Sequence, residues 1–337
     1  SALSAANVTA LYNEIECPAV AVTNAFNTVL YTGDATARSI TTVGFKPDFT
    51  WTKSRNGGNY HQLFDSVRGA TKAIESDTTF AESTEPTALT AFDTDGFSLG
   101  SSGNVNSSGI TYVAWNWKAG GTAVSNTDGT ITSQVSANVD AGFSIVSYAG
   151  GGSSGSTVGT GLNQSTDMIF VKNLSAGTDN WIVWHKDLEQ NSTSTNTITL
   201  KGGNVLLLNT TNSTVSYGYD GQMGATSGEN LIAYCFASKS GYSKVGSYVG
   251  TGATGNAQYT GFEPAFLLVK RTSSTSDWYM IDNKRNPSNP RNSWLNANTS
   301  TAEYTPSHGV DFLSNGFSFI STDLNGTGQS WIFLAIA

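Results

Sequence analysis

The chain has 337 residues, with 17 Lys and Arg against 25 Asp and Glu, a formal charge of -8 and only 12% charged residues. So low a charged fraction excludes coiled coils and long charged helices, and no Lys/Arg cluster is present of the kind a nucleic-acid partner requires. No run of 18 apolar residues occurs, so no membrane insertion is expected, while 38% hydrophobic and 11% aromatic residues suffice for a folded core.

In chain order, Ser4 is placed to cap a helical turn carrying Val8, Leu11 and Tyr12 on one face, and residues 1–24 read as the helical tail of an upstream domain. The chain begins at Ser1, as a fragment or processed product would, and its first residues lack the charged-then-apolar layout of a signal peptide. From residue 25 onward the sequence repeats itself. Gly44-Phe45-Lys46-Pro47-Asp48-Phe49 returns as Gly261-Phe262-Glu263-Pro264-Ala265-Phe266, with Lys53 and Lys270 nine residues after the glycine. Gly161-Leu162 followed by Met168-Ile169-Phe170-Val171-Lys172 is a degenerate third copy. Tyr31, Tyr148 and Tyr248 precede these lysines by 22, 24 and 22 residues, and apolar runs beginning at Tyr112, Leu231 and Trp331 follow them by 59, 59 and 61.

Four landmarks at nearly constant spacing predict three copies of one unit: 25–120, 142–239 and 240–337, with 121–141 as a linker or an added hairpin. Runs such as 143–148, 168–172, 181–184 and 231–236 are short, rich in β-branched and aromatic residues, and bounded by Gly, Asn, Ser or Asp. Asn56-Gly57, Asp95-Gly96, Asp128-Gly129, Asn315-Gly316 and Asn325-Gly326 are turn signals between them. The expected fold class is all-β, as three tandem β-sandwich-like repeats.

The motifs that could carry chemistry are each outweighed by a structural reading. Gly250-Thr-Gly-Ala-Thr-Gly255 matches a dinucleotide fingerprint, but a strand rather than a helix is expected after it. Gly151-Gly-Ser-Ser-Gly155 matches a nucleophile elbow but lies in a low-complexity turn. His61, His185 and His308 share no spacing with a partner base or metal ligand, and Cys17 and Cys235 form no disulfide framework, Cys235 reading as a buried thiol. Asp93-Thr-Asp-Gly96 and Asn126-Thr-Asp-Gly129 begin like calcium loops but lack the closing ligands. Asp65 with Arg68, and Asp282 with Arg285, read as structural ion pairs at strand ends. No catalytic residue, metal or cofactor is therefore expected.

Exposed aromatic rings are the remaining candidates for ligand contact, since sugar faces stack on them. Trp115, Trp117, Trp181 and Trp278 are expected in the core. Tyr217 and Tyr219, in Val-Ser-Tyr-Gly-Tyr-Asp220, and Trp294, in the Pro/Asn-rich loop 286–296, are expected to be exposed and are the candidate ligand-binding residues.

The strings Trp51-Thr-Lys-Ser-Arg55, His61-Gln-Leu-Phe-Asp-Ser-Val-Arg-Gly69, Ala91-Phe-Asp-Thr-Asp-Gly-Phe-Ser-Leu-Gly100, Tyr112-Val-Ala-Trp-Asn-Trp-Lys-Ala-Gly120 and Gly241-Tyr-Ser-Lys-Val-Gly-Ser-Tyr248 resemble a repeat of tail-fibre and other virion proteins of aquatic tailed phages. Ala2-Leu-Ser-Ala-Ala-Asn-Val-Thr-Ala-Leu-Tyr-Asn13 is similar to the close of laminin-G/concanavalin-A-like lectin domains, which often precede that repeat. The resemblance implies a virion protein located in the tail and extracellular, and the lack of a catalytic constellation in the residues makes it a non-enzymatic one. Its implied partners are host cell-surface glycan and other virion proteins, and its implied assembly is a homotrimer. A capsid-decoration protein, a polysaccharide depolymerase and a bacterial surface adhesin are the competing readings.

Overall fold

The computed structural model describes residues 24–337 apart from 152, 189–192, 195, 200–202, 213, 218–223 and 225–226. The expected helical tail, but for Asn24, lies outside the described residues, as does Cys17. What is described is nearly all β, as expected from the alternation of short apolar runs with Gly, Asn and Asp turns.

The first third of the chain forms β1 (Phe26–Thr32), β2 (Arg38–Ile40), β3 (Phe49–Ser54), β4 (Gln62–Asp65), β5 (Lys72–Ala73), β6 (Ser83–Thr84), β7 (Leu89–Asp93), β8 (Gly96–Leu99) and β9 (Thr111–Trp117), with one helical turn at Gly103–Asn106. The middle third forms β10 (Val124–Asn126), β11 (Ser133–Asn138), β12 (Phe143–Ala149), β13 (Thr157–Gly159), β14 (Met168–Asn173), β15 (Ile182–His185), β16 (Thr193–Ser194), β17 (Thr197–Thr199), β18 (Gly203–Leu207), β19 (Val215–Tyr217) and β20 (Asn230–Phe236). The last third forms β21 (Ser243–Val249), β22 (Asn256–Tyr259), β23 (Phe266–Arg271), β24 (Trp278–Asp282), β25 (Leu295–Asn296), β26 (Val310–Leu313), β27 (Gly316–Phe319) and β28 (Ser330–Ile336).

One antiparallel pairing order occurs in each third. The large sheets run β1-β9-β3-β4, β12-β20-β14-β15-β18 and β21-β28-β23-β24-β25, and the small ones β2-β8-β7, β13-β17-β16 and β22-β27-β26. The register agrees as well. Trp117 lies opposite both Phe26 and Phe49, Phe236 opposite both Phe143 and Met168, and Ile336 opposite both Ser243 and Phe266. Residues 121–141 hold β10 and β11, a hairpin added to the open edge of β12. At Gly96 and Gly316, which open β8 and β27, a Cβ would lie 1.9 and 2.0 Å from the carbonyl oxygens of Ile40 and Gln258, so close strand approach requires glycine there.

Alternation within the large sheets explains where the cores lie. One face of each packs against its own small sheet: Val29, Tyr31, Phe97 and Tyr112 in the first third, Val146, Val158, Ile169 and Leu231 in the middle, and Tyr248, Leu267, Phe317 and Trp331 in the last. The opposite faces meet one another in a single shared core that includes Trp51, Trp115, Trp117, Phe143, Phe170, Tyr234, Phe266, Trp278 and Leu334. Phe49 stacks on Tyr234 at 4.3 Å, Trp117 meets Phe266 edge-on at 5.8 Å, and Phe170 meets Trp278 at 6.4 Å, so rings from each third touch those of another. Sheets covered on both faces bury successive positions: β14 and the body of β9 do so with mostly apolar residues, while β3 also buries Thr50, Thr52, Lys53 and Ser54. The four tryptophans expected in the core are all buried.

Candidate functional site

Of the three candidate ligand-binding residues, Trp294 is corrected by the structure. Its loop is polar, but the ring is 3% exposed, packed edge-on between Tyr279 and Tyr304, with Nε1 donating to the Arg291 carbonyl at 3.1 Å. Loop composition reports backbone conformation and not the direction of one large side chain, which turned inward where apolar area could be buried. Tyr217 closes β19, where its backbone pairs with Gly203, and Tyr219 lies outside the described residues.

The glycine motifs fall as their turn readings require. Gly250–Gly255 joins β21 to the strand β22, and Gly151–Gly155 lies between β12 and β13. Gly33, Gly150 and Gly250, at equivalent positions, each donate their N–H at 2.8 Å to the carbonyls of Ile110, Glu229 and Gln329. Cys235 is buried and its thiol is pushed up to about 12 by burial, which leaves it protonated. His308 is exposed, 3.6 Å from Asp323. Among the described residues no group of three metal-ligating side chains occurs.

The repeat lysines are buried, and two of them reach across a seam between thirds. Lys53 Nζ donates to the carbonyls of Ser54 and Gly57 and, at 3.0 Å, to Ser300 in the last third. Lys172 Nζ donates to Asp179 and, at 3.0 Å, to the carbonyl of Thr79 in the first third. Lys270 Nζ donates to the Ser276 carbonyl. Burial lowers these ammonium groups to about 8, about 8 and about 7.

A second set of donors completes the circuit. His61, Trp181 and Trp278 occupy one position, just before or at the start of the strand that follows the lysine. Trp51 Nε1 donates to His61 Nδ1 at 2.8 Å, which leaves His61 Nε2 as the proton-bearing nitrogen, 3.0 Å from the Asn296 carbonyl. Trp181 Nε1 donates to the Glu75 carbonyl at 2.8 Å, and Trp278 Nε1 to the Leu207 carbonyl at 2.9 Å. Ile74, Leu206 and Leu295 pair with the strands opposite them in the same way, so Glu75, Leu207 and Asn296 are equivalent too. First to last, middle to first and last to middle, the same bond closes a ring of three.

The ion pairs expected at strand ends are present and lie in the same seams. Arg68 Nε donates to Asp65 at 2.5 Å, and Asp65 also accepts from Tyr234 of the middle third at 2.7 Å. Arg285 Nε donates to Asp282 at 2.5 Å, and Asp282 accepts from Trp115 Nε1 of the first third at 3.1 Å. At the third set of equivalent positions stand His185 and Leu334, so where the aspartate is replaced the donor is replaced as well. Glu303 bridges Arg285 at 3.2 Å and Arg55 at 2.7 and 2.9 Å. Sequence reasoning assigned these residues a structural role but missed that their partners lie in another third; the matched change at His185 and Leu334 was the available signal.

Two exposed rings flank these seams, Tyr60 next to His61 and Phe80 next to Thr79. Tyr60 and Phe80 are 45% and 54% exposed and meet edge-on with centroids 6.2 Å apart. Asp77 Oδ1 accepts the backbone N–H of His61 at 3.1 Å, while its Oδ2 is buried without a partner among the described residues. Burial raises the Asp77 carboxyl to about 7.

No curated protein and no solved structure matches the chain. Residues 21–337 match a domain of unknown function, DUF7483, and the chain belongs to that family.

Proposed function

We propose that this DUF7483 chain is a non-enzymatic structural and host-recognition component of a tailed-phage virion, a distal tail-fibre segment that binds host surface glycan. We further propose that it consists of three tandem β-sandwich-like units. The observation that carries the reading is where the buried polar groups are spent. Lys53, Lys172, His61, Asp65 and Asp282 all hydrogen-bond across seams, and Lys270 to its own loop, so the groups with the most chemical potential lock the modules together. A rigid interlocked β body leaves the loops to vary, and the sequence resemblance supplies the virion context. Homotrimer assembly would use surfaces outside the three seams, which are filled within one chain, and other virion proteins would hold its end.

Antibody labelling of intact particles tests this reading together with competition of infection by soluble protein. Label at the tail tip and blocked adsorption are expected. Label on the head, or adsorption unaffected by saturating protein, overturns it. Release of new reducing ends from host polysaccharide would establish the depolymerase alternative.

A further inference from the structure

We infer that Tyr60 and Phe80 form a shelf for a neutral saccharide on the first unit, an inference that rests on the glycan-binding reading above. Register makes Tyr60 equivalent to Asn180 and Asp277, each of which precedes Trp181 or Trp278, and makes Asp77 equivalent to Asn209 and Asn298. In the middle unit Asn209 Oδ1 accepts the Trp181 N–H at 3.1 Å while its Nδ2 donates to Asn180 at 3.0 Å. In the last unit Asn298 Oδ1 accepts the Trp278 N–H at 2.8 Å while its Nδ2 donates to Asp277 at 2.8 Å. Two units thus satisfy both ends of this side chain.

The first unit keeps one bond and gives up the other. Asp77 still holds the His61 N–H, but Tyr60 stands where the second partner would be, Asp77 Oδ2 is left alone in a buried position, and Phe80 replaces the polar Asn212 and Thr301. An unpartnered buried carboxylate oxygen is costly, and the two new rings, 45% and 54% exposed, bury only part of their area in exchange. The shelf is nonetheless held firmly. Asp77 fixes the peptide between Tyr60 and His61, the Phe80 N–H donates to Thr78 Oγ1 at 3.2 Å, and Thr79 Oγ1 donates to the Gly177 carbonyl of the middle unit at 3.1 Å. Two edge-packed rings present aromatic face to solvent, which complements the CH face of a pyranose through dispersion. Among the described residues no Lys or Arg lies over either ring, and the side chain that anchors the shelf is the carboxyl of Asp77, so the shelf offers no cation to an acidic sugar and the ligand class is a neutral saccharide.

An array of bacterial O-chain and capsular oligosaccharides, followed by calorimetric titration of the neutral oligosaccharide bound best, tests the shelf. Phe80→Ala, and the double variant Tyr60→Asp with Asp77→Asn, should each weaken binding at least tenfold. The double variant installs the pair seen at Asp277 and Asn298, so its unfolding midpoint should equal or exceed that of the wild type. Tyr259→Ala, which removes a 66% exposed ring elsewhere, should leave binding unchanged. Undiminished binding by both shelf variants overturns the shelf while glycan binding stands, and binding of acidic oligosaccharides alone overturns the ligand class. A wild-type protein that binds nothing on the array overturns the glycan-binding reading itself.

Discussion

The seam between the first and last thirds and the seam between the middle and first thirds use the same set of contacts with different strength. In both, a buried lysine and a ring N–H donate to neighbouring carbonyls, and an Asp-Arg pair accepts a ring donor from the next third. The first-to-last seam adds Glu303, 13% exposed and shared by two arginines, where the other has Glu82, which reaches Arg68 at 3.3 Å and Lys72 at 3.5 Å. It joins residues 248 apart in sequence, so no short connection holds its faces together. The ring is reinforced where closure costs most chain entropy.

The strongest way to break the comparison is to strand a buried charge. Arg285→Met leaves Asp282 buried without its cation and should cost about 3–5 kcal/mol in urea unfolding, and Arg68→Met should do the same to Asp65. Equal effects would show that the Asp-Arg pair is the common part of both seams and leave Glu303 as their difference. Next, Glu303→Gln weakens charged hydrogen bonds to two arginines and should cost about 2–3 kcal/mol, against under about 1 kcal/mol for Glu82→Gln. A reversed order in calorimetric midpoints would refute the reinforcement of the closing seam.

Smaller still, Trp181→Phe and Trp278→Phe remove the indole donors to the Glu75 and Leu207 carbonyls and should each cost about 1–3 kcal/mol, beyond the same substitution at Trp331, whose Nε1 has no partner among the described residues. The remaining effect is in pH dependence. Asp77 binds its proton more tightly in the folded state, so wild-type stability relative to Asp77→Asn should be highest at low pH. It should fall as pH rises from the unfolded carboxylate range through about 7. A difference that stays flat between pH 4 and 8 would place the Asp77 carboxyl near its ordinary range.

Much of this was legible from local sequence. The paired Asp65 and Arg68, and Asp282 and Arg285, are three residues apart at a strand end and close enough along the chain to meet, and Asp95-Gly96 and Asn315-Gly316 marked turns where the next strand approaches too closely for a Cβ. The strand expected after Gly250–Gly255 is β22, whose residues alternate in exposure. Trp294 went wrong because a tryptophan among Pro and Asn carries no local sign of which way its ring points. Tyr60 and Phe80 escaped notice because they look like ordinary strand aromatics, and only comparison with Asn180, Asp277 and Asn212 at equivalent positions sets them apart.

The sequence by itself determined the all-β character, the positions of the turns, and the recurrence of Tyr, Lys and the final apolar run, because these depend on backbone propensity and on periodicity along the chain. Only the tertiary structure decided that the second faces of the large sheets meet in one core, and that Lys53, His61, Trp181 and Trp278 spend their protons on a neighbouring third. A buried donor is satisfied by whichever carbonyl three-dimensional packing brings within 3 Å, and that partner has no fixed distance from it along the chain.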